Sequence, residues 1–129
     1  MRRMSDTVDR TRDVARILLA CIRLFNGLAA LLAPQALAGR LGIDADKNPA
    51  ALYVLRMFGI RTVLIGADLL LQKGERRREA LRLGIVVHAS DTLAAYLAGR
   101  SGKLPSNTSK MIVAISAVNT ALALYANQR

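Results

Sequence analysis

VARILLACIRLFNGLAALLA, residues 14–33, is the stretch that decides the fold. It holds only two charges, Arg16 and Arg23, and one amide, Asn26. At about 1.5 Å per residue a run of roughly 20 residues covers the ~30 Å hydrocarbon core of a bilayer. Its length and Leu/Ala/Val content mark a helix and show no strand-like alternation. Pro34 closes it, because proline lacks the N–H that would continue the ladder and its ring clashes with the preceding turn.

Three further runs repeat the pattern. Ala50–Leu71 follows the turn-like Asp46-Lys47-Asn48-Pro49. Ala80–Leu97 is ended by Gly99. Met111–Ala126 follows a polar loop holding Gly102, Pro105, Ser106, Asn107 and Ser109. The expected fold is therefore all-α, a bundle of four transmembrane helices over residues 14–33, 50–71, 80–97 and 111–126. The 129 residues form one membrane domain by size. Residues 1–13 are expected to be a polar, helical cytoplasmic segment with Ser5 as its N-cap. Pro34–Asn48 reads as a short helical turn on the outer surface. Small residues at four-residue spacing, Ala29 and Ala33, Ala94 and Ala98, Ala117 and Ala121, fit helices packed closely in lipid.

The net charge of +10 raises a nucleic-acid reading. Such modules carry a continuous basic stripe, aromatic platforms or a docking motif. Here the basic residues cluster in the N-terminal segment and the central loop, so no nucleic-acid partner is expected. Arg2, Arg3, Arg10, Arg12 and Arg16, with Lys73, Arg76, Arg77 and Arg78, outnumber Arg40, Lys47, Arg100, Lys103 and Lys110 on the other face. The positive-inside rule then places both termini and the Lys73–Glu79 loop in the cytoplasm. The expected location is a bacterial inner membrane, crossed several times, with anionic lipids as neighbours. No signal-type cleavage site follows the first run, which is expected to stay in the protein. Cys21, the lone cysteine, reads as a small buried hydrophobe.

Each run carries a polar residue near its midpoint: Arg23, Arg61, His88 and Asn119. A charge at that depth costs about 2.5–3.5 kcal/mol on insertion scales. These four are therefore expected to face one another inside the bundle. Depth matching adds two layers, Arg16/Asp68/Arg82 toward the cytoplasm and Asn26/Arg56/Asp91 toward the outside. Arg16, Arg23 and Asn26 share a helical face, as do Arg61 with Asp68 and His88 with Asp91. Ser116, Asn119 and Thr120 form a polar stripe on the fourth run. Arg56 is out of phase with Arg61 and turns toward an interface or another protein.

Arginine outnumbers aspartate in these spans, so a central guanidinium is left without a carboxylate. That vacancy suits an anionic or carbonyl-bearing ligand, a lipid headgroup, or an acidic residue of a partner subunit. The candidate ligand-binding residues are Arg23, Asn26, Arg61, Asp68, His88, Asp91 and Asn119. Arg–Asp pairs and amide hydrogen bonds that merely set helix neighbours are the competing reading. A third reading makes His88 and Asp91 an acid–base pair of a membrane enzyme, with Asp91 orienting and charging the imidazole. One His and two scattered Asp fall short of a metal-ligand set, and no phosphate loop, nucleophile elbow or cysteine pair is present. Neither a metal nor a cofactor is expected.

Arg23-Leu-Phe-Asn-Gly27 with Pro34, Leu55-Arg-Met-Phe-Gly-Ile-Arg61 with Gly66, and His88-Ala-Ser-Asp91 together resemble small bacterial four-helix membrane proteins of the DoxX-like kind. The resemblance covers most of the chain after about residue 14. It implies a four-helix membrane bundle and carries over no catalytic residue. The expected function is binding of a lipophilic ligand with an acidic or carbonyl head, or service as an accessory subunit of a larger membrane complex.

Overall fold

A computed structural model describes residues 1–128. Among them it forms five α-helices and no strand: α1 (Arg2–Leu32), α2 (Pro34–Arg40), α3 (Ala50–Leu71), α4 (Gly74–Arg100) and α5 (Ser106–Asn127). Each expected apolar run lies on one long helix, and α3 matches its run end to end. The polar segment before residue 14 continues α1 without a break. Ser5 is not its cap. The helix starts three residues earlier, with Met1 at the N-cap position, and the Ser5 hydroxyl donates to the Arg2 carbonyl at 2.8 Å.

The breaks between helices follow from backbone chemistry. Pro34 opens α2 just after Ala33 ends α1, the first-turn position where a missing N–H costs nothing. Between α3 and α4 only Gln72 and Lys73 intervene. Gly74 turns the chain with φ of +59°, a left-handed conformation that costs other L-residues about 1–2 kcal/mol. The Arg77 Nε–H donates to the Gln72 carbonyl at 2.9 Å and ties that turn to the first turn of α4.

The long helices pack in antiparallel pairs, α1 on α3 and α4 on α5, with α1 also against α5 and the short α2 against α1 and α3. On α1 and α3 the partners run in opposite order: Arg16 meets Leu69, Ala20 meets Gly66, and Gly27 meets Gly59 and Val63. Thr11 and Tyr125 share a hydroxyl hydrogen bond of 2.8 Å. Both termini and the α3–α4 turn therefore lie at one end of the bundle. At the other end the Thr108 hydroxyl donates to the Leu41 carbonyl at 3.2 Å, fastening the start of α5 to the end of α2.

Close approach of the backbones comes from glycine. A Cβ on Gly59 would stand 2.7 Å from the Leu31 nitrogen and 2.8 Å from the Gly27 carbonyl oxygen, and one on Gly27 2.8 Å from the Val63 nitrogen. Across α4 and α5, Gly99 takes the Ser109 side chain against its backbone, and the Ser109 hydroxyl donates to the Ala95 carbonyl at 2.8 Å. The alanine pairs expected to serve this purpose do not: Ala33, Ala94, Ala117 and Ala121 are exposed. Glycine alone lets two helical backbones touch, because every other residue interposes a Cβ.

The interior is unusual for a protein in water. A small apolar cluster of Leu19, Ala20, Leu69, Leu81 and Ala123 joins the four long helices. Apart from Leu19, Leu69 and Leu81, every buried apolar residue is alanine, while Arg16, Arg23, Thr62, His88, Thr108, Ser109, Ser116 and Asn119 are also buried. Phe25, Leu32, Leu64, Val86, Leu93 and Val118 face outward. Two helices, Arg2–Leu32 and Ser106–Asn127, are long and apolar enough to cross a membrane. By contrast, α3 is interrupted by Arg56, Arg61 and Asp68, and α4 by Arg82 and Asp91.

Candidate functional site: a buried polar cluster

Arg23 is the centre of the site. It sits on the buried stripe of α1 that also carries Leu19, Gly27 and Ala30, residues three or four apart and hence on one face. Its Nη2 donates to the Thr62 hydroxyl at 3.3 Å, and its guanidinium carbon lies 5.9 Å from the centroid of the Phe58 ring, within cation–π reach. Only 3% of the residue is exposed. Among the described residues no carboxylate pairs with it. Asp91 and Arg61 are near enough for their charges to act on the guanidinium.

His88 and Asn119 complete the buried set, at 0% and 1% exposure. The antiparallel register of α4 and α5, fixed by Ala95 and Gly99 against Ser109, sets His88 opposite the turn of α5 that bears Ser116 and Asn119. Gly84 lies one turn before His88, and a Cβ there would meet the His88 Nε2 at 3.7 Å, an ordinary van der Waals contact. Four polar atoms of this cluster are buried without a hydrogen-bond partner: Arg23 Nε, His88 Nδ1 and Nε2, and Asn119 Oδ1. The imidazole, the Nε edge of the guanidinium and the Asn119 carbonyl oxygen thus make no hydrogen bond within the chain.

The expected middle layer is three-quarters assembled. Arg23, His88 and Asn119 are buried, whereas Arg61 is exposed. The reason is phase. The inward face of α3 is Gly59, Thr62, Gly66 and Leu69, and Arg61, one residue from Thr62, is turned about 100° away. Asp68 is exposed for the same reason, being one residue from Leu69. The layer of Arg16, Asp68 and Arg82 does not form. Arg16 is buried and donates through Nη1 to the Leu69 carbonyl at 2.6 Å, with its Nε 3.4 Å from Asp13. Arg82 is exposed and pairs with Glu75 at 3.5 Å. In the outer layer Asn26 and Asp91 are half-buried and Arg56 is exposed. Nor are His88 and Asp91 hydrogen-bonded to each other, since neither imidazole nitrogen has a partner. Cys21, expected to be buried, is exposed.

Thr62 and Phe58 are the site residues missed in the sequence. The signal for Thr62 was the run of small residues at three- and four-residue steps on α3, which marks its packed face. Phe58 gave no comparable signal, because an aromatic in an apolar helix looks the same whether it faces a cation or the surroundings.

An open groove of about 560 Å³ runs between α1 and α5 beside this cluster, and Asn26 and Asn119 are its polar residues. At the end holding the termini, a second cleft of about 530 Å³ is lined by Arg12, Arg16, Arg77 and Arg78 together with Asp9 and Asp13. Comparison with protein-family models, curated proteins and solved structures finds no match.

Proposed function

We propose that this chain is a multi-pass protein of a bacterial inner membrane, with four spanning helices and both termini cytoplasmic. Its buried polar cluster binds a lipophilic molecule with an acidic or carbonyl head. The membrane part of this reading is supported by the distribution of side chains: buried Arg, His and Asn, and outward Phe, Leu and Val. Water would reverse that distribution, since large exposed apolar surfaces mark partner or membrane contact, while ionisable residues in spanning helices face the bundle interior.

One observation carries the binding reading: Arg23, His88 and Asn119 bury four polar atoms with no partner. Each unmade hydrogen bond costs about 1–3 kcal/mol, more at a charged group. A cluster that served only to fix helix neighbours would have its bonds made within the bundle. An acidic or carbonyl head supplies acceptors to the Arg23 Nε–H and to the imidazole N–H.

The test is mass spectrometry of the lipids that co-purify in mild detergent with the wild type and with Arg23→Gln. The wild type is expected to enrich one lipophilic species over its level in the bulk membrane lipid, and Arg23→Gln to lose it while keeping its melting transition. Identical profiles for the two proteins overturn the reading.

A second reading has its own observation. Arg56 and Arg61 project from the exposed face of α3, where a membrane offers a cation no counter-charge. An acidic residue of another membrane subunit would answer them. Native mass spectrometry from gently solubilised membranes distinguishes the two: an accessory subunit is released with a partner chain and loses it in Arg56→Gln/Arg61→Gln.

A further inference from the structure

The groove between α1 and α5 says more about the ligand. Its walls are apolar, with Cys21 and Phe25 on α1 and Ile115 and Val118 on α5, and its polar residues are two amides, Asn26 and Asn119. Asn119 belongs to both features: it borders the groove, yet its Oδ1 is buried and unpartnered. Arg23 stands one helical turn from Asn26 on the same face of α1. Arg23 itself is buried behind the groove wall, against Thr62 and Phe58 of α3, and Asn26 and Asn119 are the polar residues between the groove and the buried cluster. The groove volume of about 560 Å³ falls within the range of sites for single small ligands, about 300–1,000 Å³.

We infer that the ligand is a single-chain fatty carboxylate. Its hydrocarbon chain lies in the α1–α5 groove, and its carboxylate passes between Asn26 and Asn119 to Arg23. This rests on the binding reading above and narrows it. The charge count selects a monoanion. Arg23 is one buried cation with no ion pair among the described residues, and the two nearby charges, Asp91 and Arg61, are of opposite sign, which leaves room for one negative charge. The planar carboxylate matches the guanidinium edge, whose Nε–H is unpaired. The two amides offer the head NH2 donors on its way in.

Cys21 supplies the readout, because it is the only cysteine, it is exposed and it lines the groove. The full chain, delipidated in maltoside micelles, is labelled with a maleimide fluorophore in the presence of oleate or of oleyl alcohol, which has the same chain without the charge. Oleate is expected to slow labelling saturably. Oleyl alcohol, and oleate on Arg23→Gln, are expected to need at least about tenfold higher concentration, the loss of one charge-assisted pair. Ala114→Trp, which fills the groove from an exposed position on its α5 wall, is expected to abolish the protection and leave the melting transition in place. It keeps the test sharp should Arg23→Gln fold poorly. Equal protection by oleate and oleyl alcohol overturns the inference, as does unchanged oleate protection in Ala114→Trp. If the wild type enriches a lipid that Arg23→Gln loses, but oleate does not protect Cys21, the binding reading stands and the fatty carboxylate falls. If neither is seen, both fall.

Discussion

Two arginines, Arg16 on α1 and Arg61 on α3, show what a single residue contributes here. Arg16 is buried and its guanidinium donates to the Leu69 carbonyl at 2.6 Å. Arg61 is exposed and makes no hydrogen bond or ion pair. Arg16→Met should therefore destabilise the purified protein by about 1.5–3 kcal/mol, the worth of a hydrogen bond to a charged group. Arg61→Met should cost nothing and should stabilise the protein in a membrane-like environment, because an outward guanidinium near mid-span has no counter-charge there. Denaturant-induced unfolding in mixed micelles, followed by circular dichroism, measures both, and a larger cost at Arg61 would show that the phase of α3 is wrong. The sequence made the depth of these residues legible, since depth follows from counting along a helix. Azimuth was legible on α1, where Arg16, Arg23 and Gly27 share the buried stripe with Leu19 and Ala30. On α3 it was hidden, because apolar residues surround the helix on all sides. There the small residues Gly59, Thr62 and Gly66 mark the packed face, and the charges do not.

Those small residues act at the scale of the element. The α1–α3 crossing depends on backbone contact at Gly27 and Gly59, where an added Cβ would come within 3 Å of backbone atoms of the facing helix. Backbone cannot swing aside as a side chain can, so the helices must separate. Gly27→Ala and Gly59→Ala should each cost about 1–3 kcal/mol, the usual range for overpacking. The double variant should cost less than the sum, because the first separation of the helices accommodates both. Gly39→Ala is the control. A Cβ there meets nothing within 4 Å, and alanine is about 1 kcal/mol better than glycine inside a helix, so that change should be neutral or stabilising. The same unfolding titration reads all four proteins. The boundary at Pro34 was legible because a proline acts locally, but the start of α4 was not: Lys73–Glu79 read as a loop before a helix from Ala80, whereas α4 begins at Gly74. Nor was the start of α1, because Ser5 bonds to a carbonyl of its own helix and a serine written in sequence does not say which partner it will choose.

At the scale of the whole molecule the charges outside the apolar runs matter most. The termini and the α3–α4 turn share one end of the bundle, and the N-terminal segment through Arg16 together with Lys73–Arg78 carries nine Lys and Arg residues, against five in the loops at the other end. In a bilayer such a bias holds the richer end in the cytoplasm. With Cys21→Ser as background, thiols placed by Ser5→Cys or Arg76→Cys should react with an impermeant maleimide only after cells are broken. Those placed by Lys47→Cys or Lys103→Cys should react in spheroplasts. Because the bias is modest, it should also be reversible. Replacing Arg76, Arg77 and Arg78 with Gln leaves six basic residues in those two segments against five, and the same labelling should then find both orientations in one population. The turn itself should survive that change, since Gly74 still supplies the left-handed residue it needs, although the Arg77 bond to Gln72 is lost. Labelling at Ser5→Cys that stays wholly internal in the triple variant would show that the orientation is set elsewhere, by the first span and its own five flanking arginines. Recovery of the wild-type chain as a soluble species without detergent would end the membrane reading altogether, and with it the reason for burying arginine while exposing leucine.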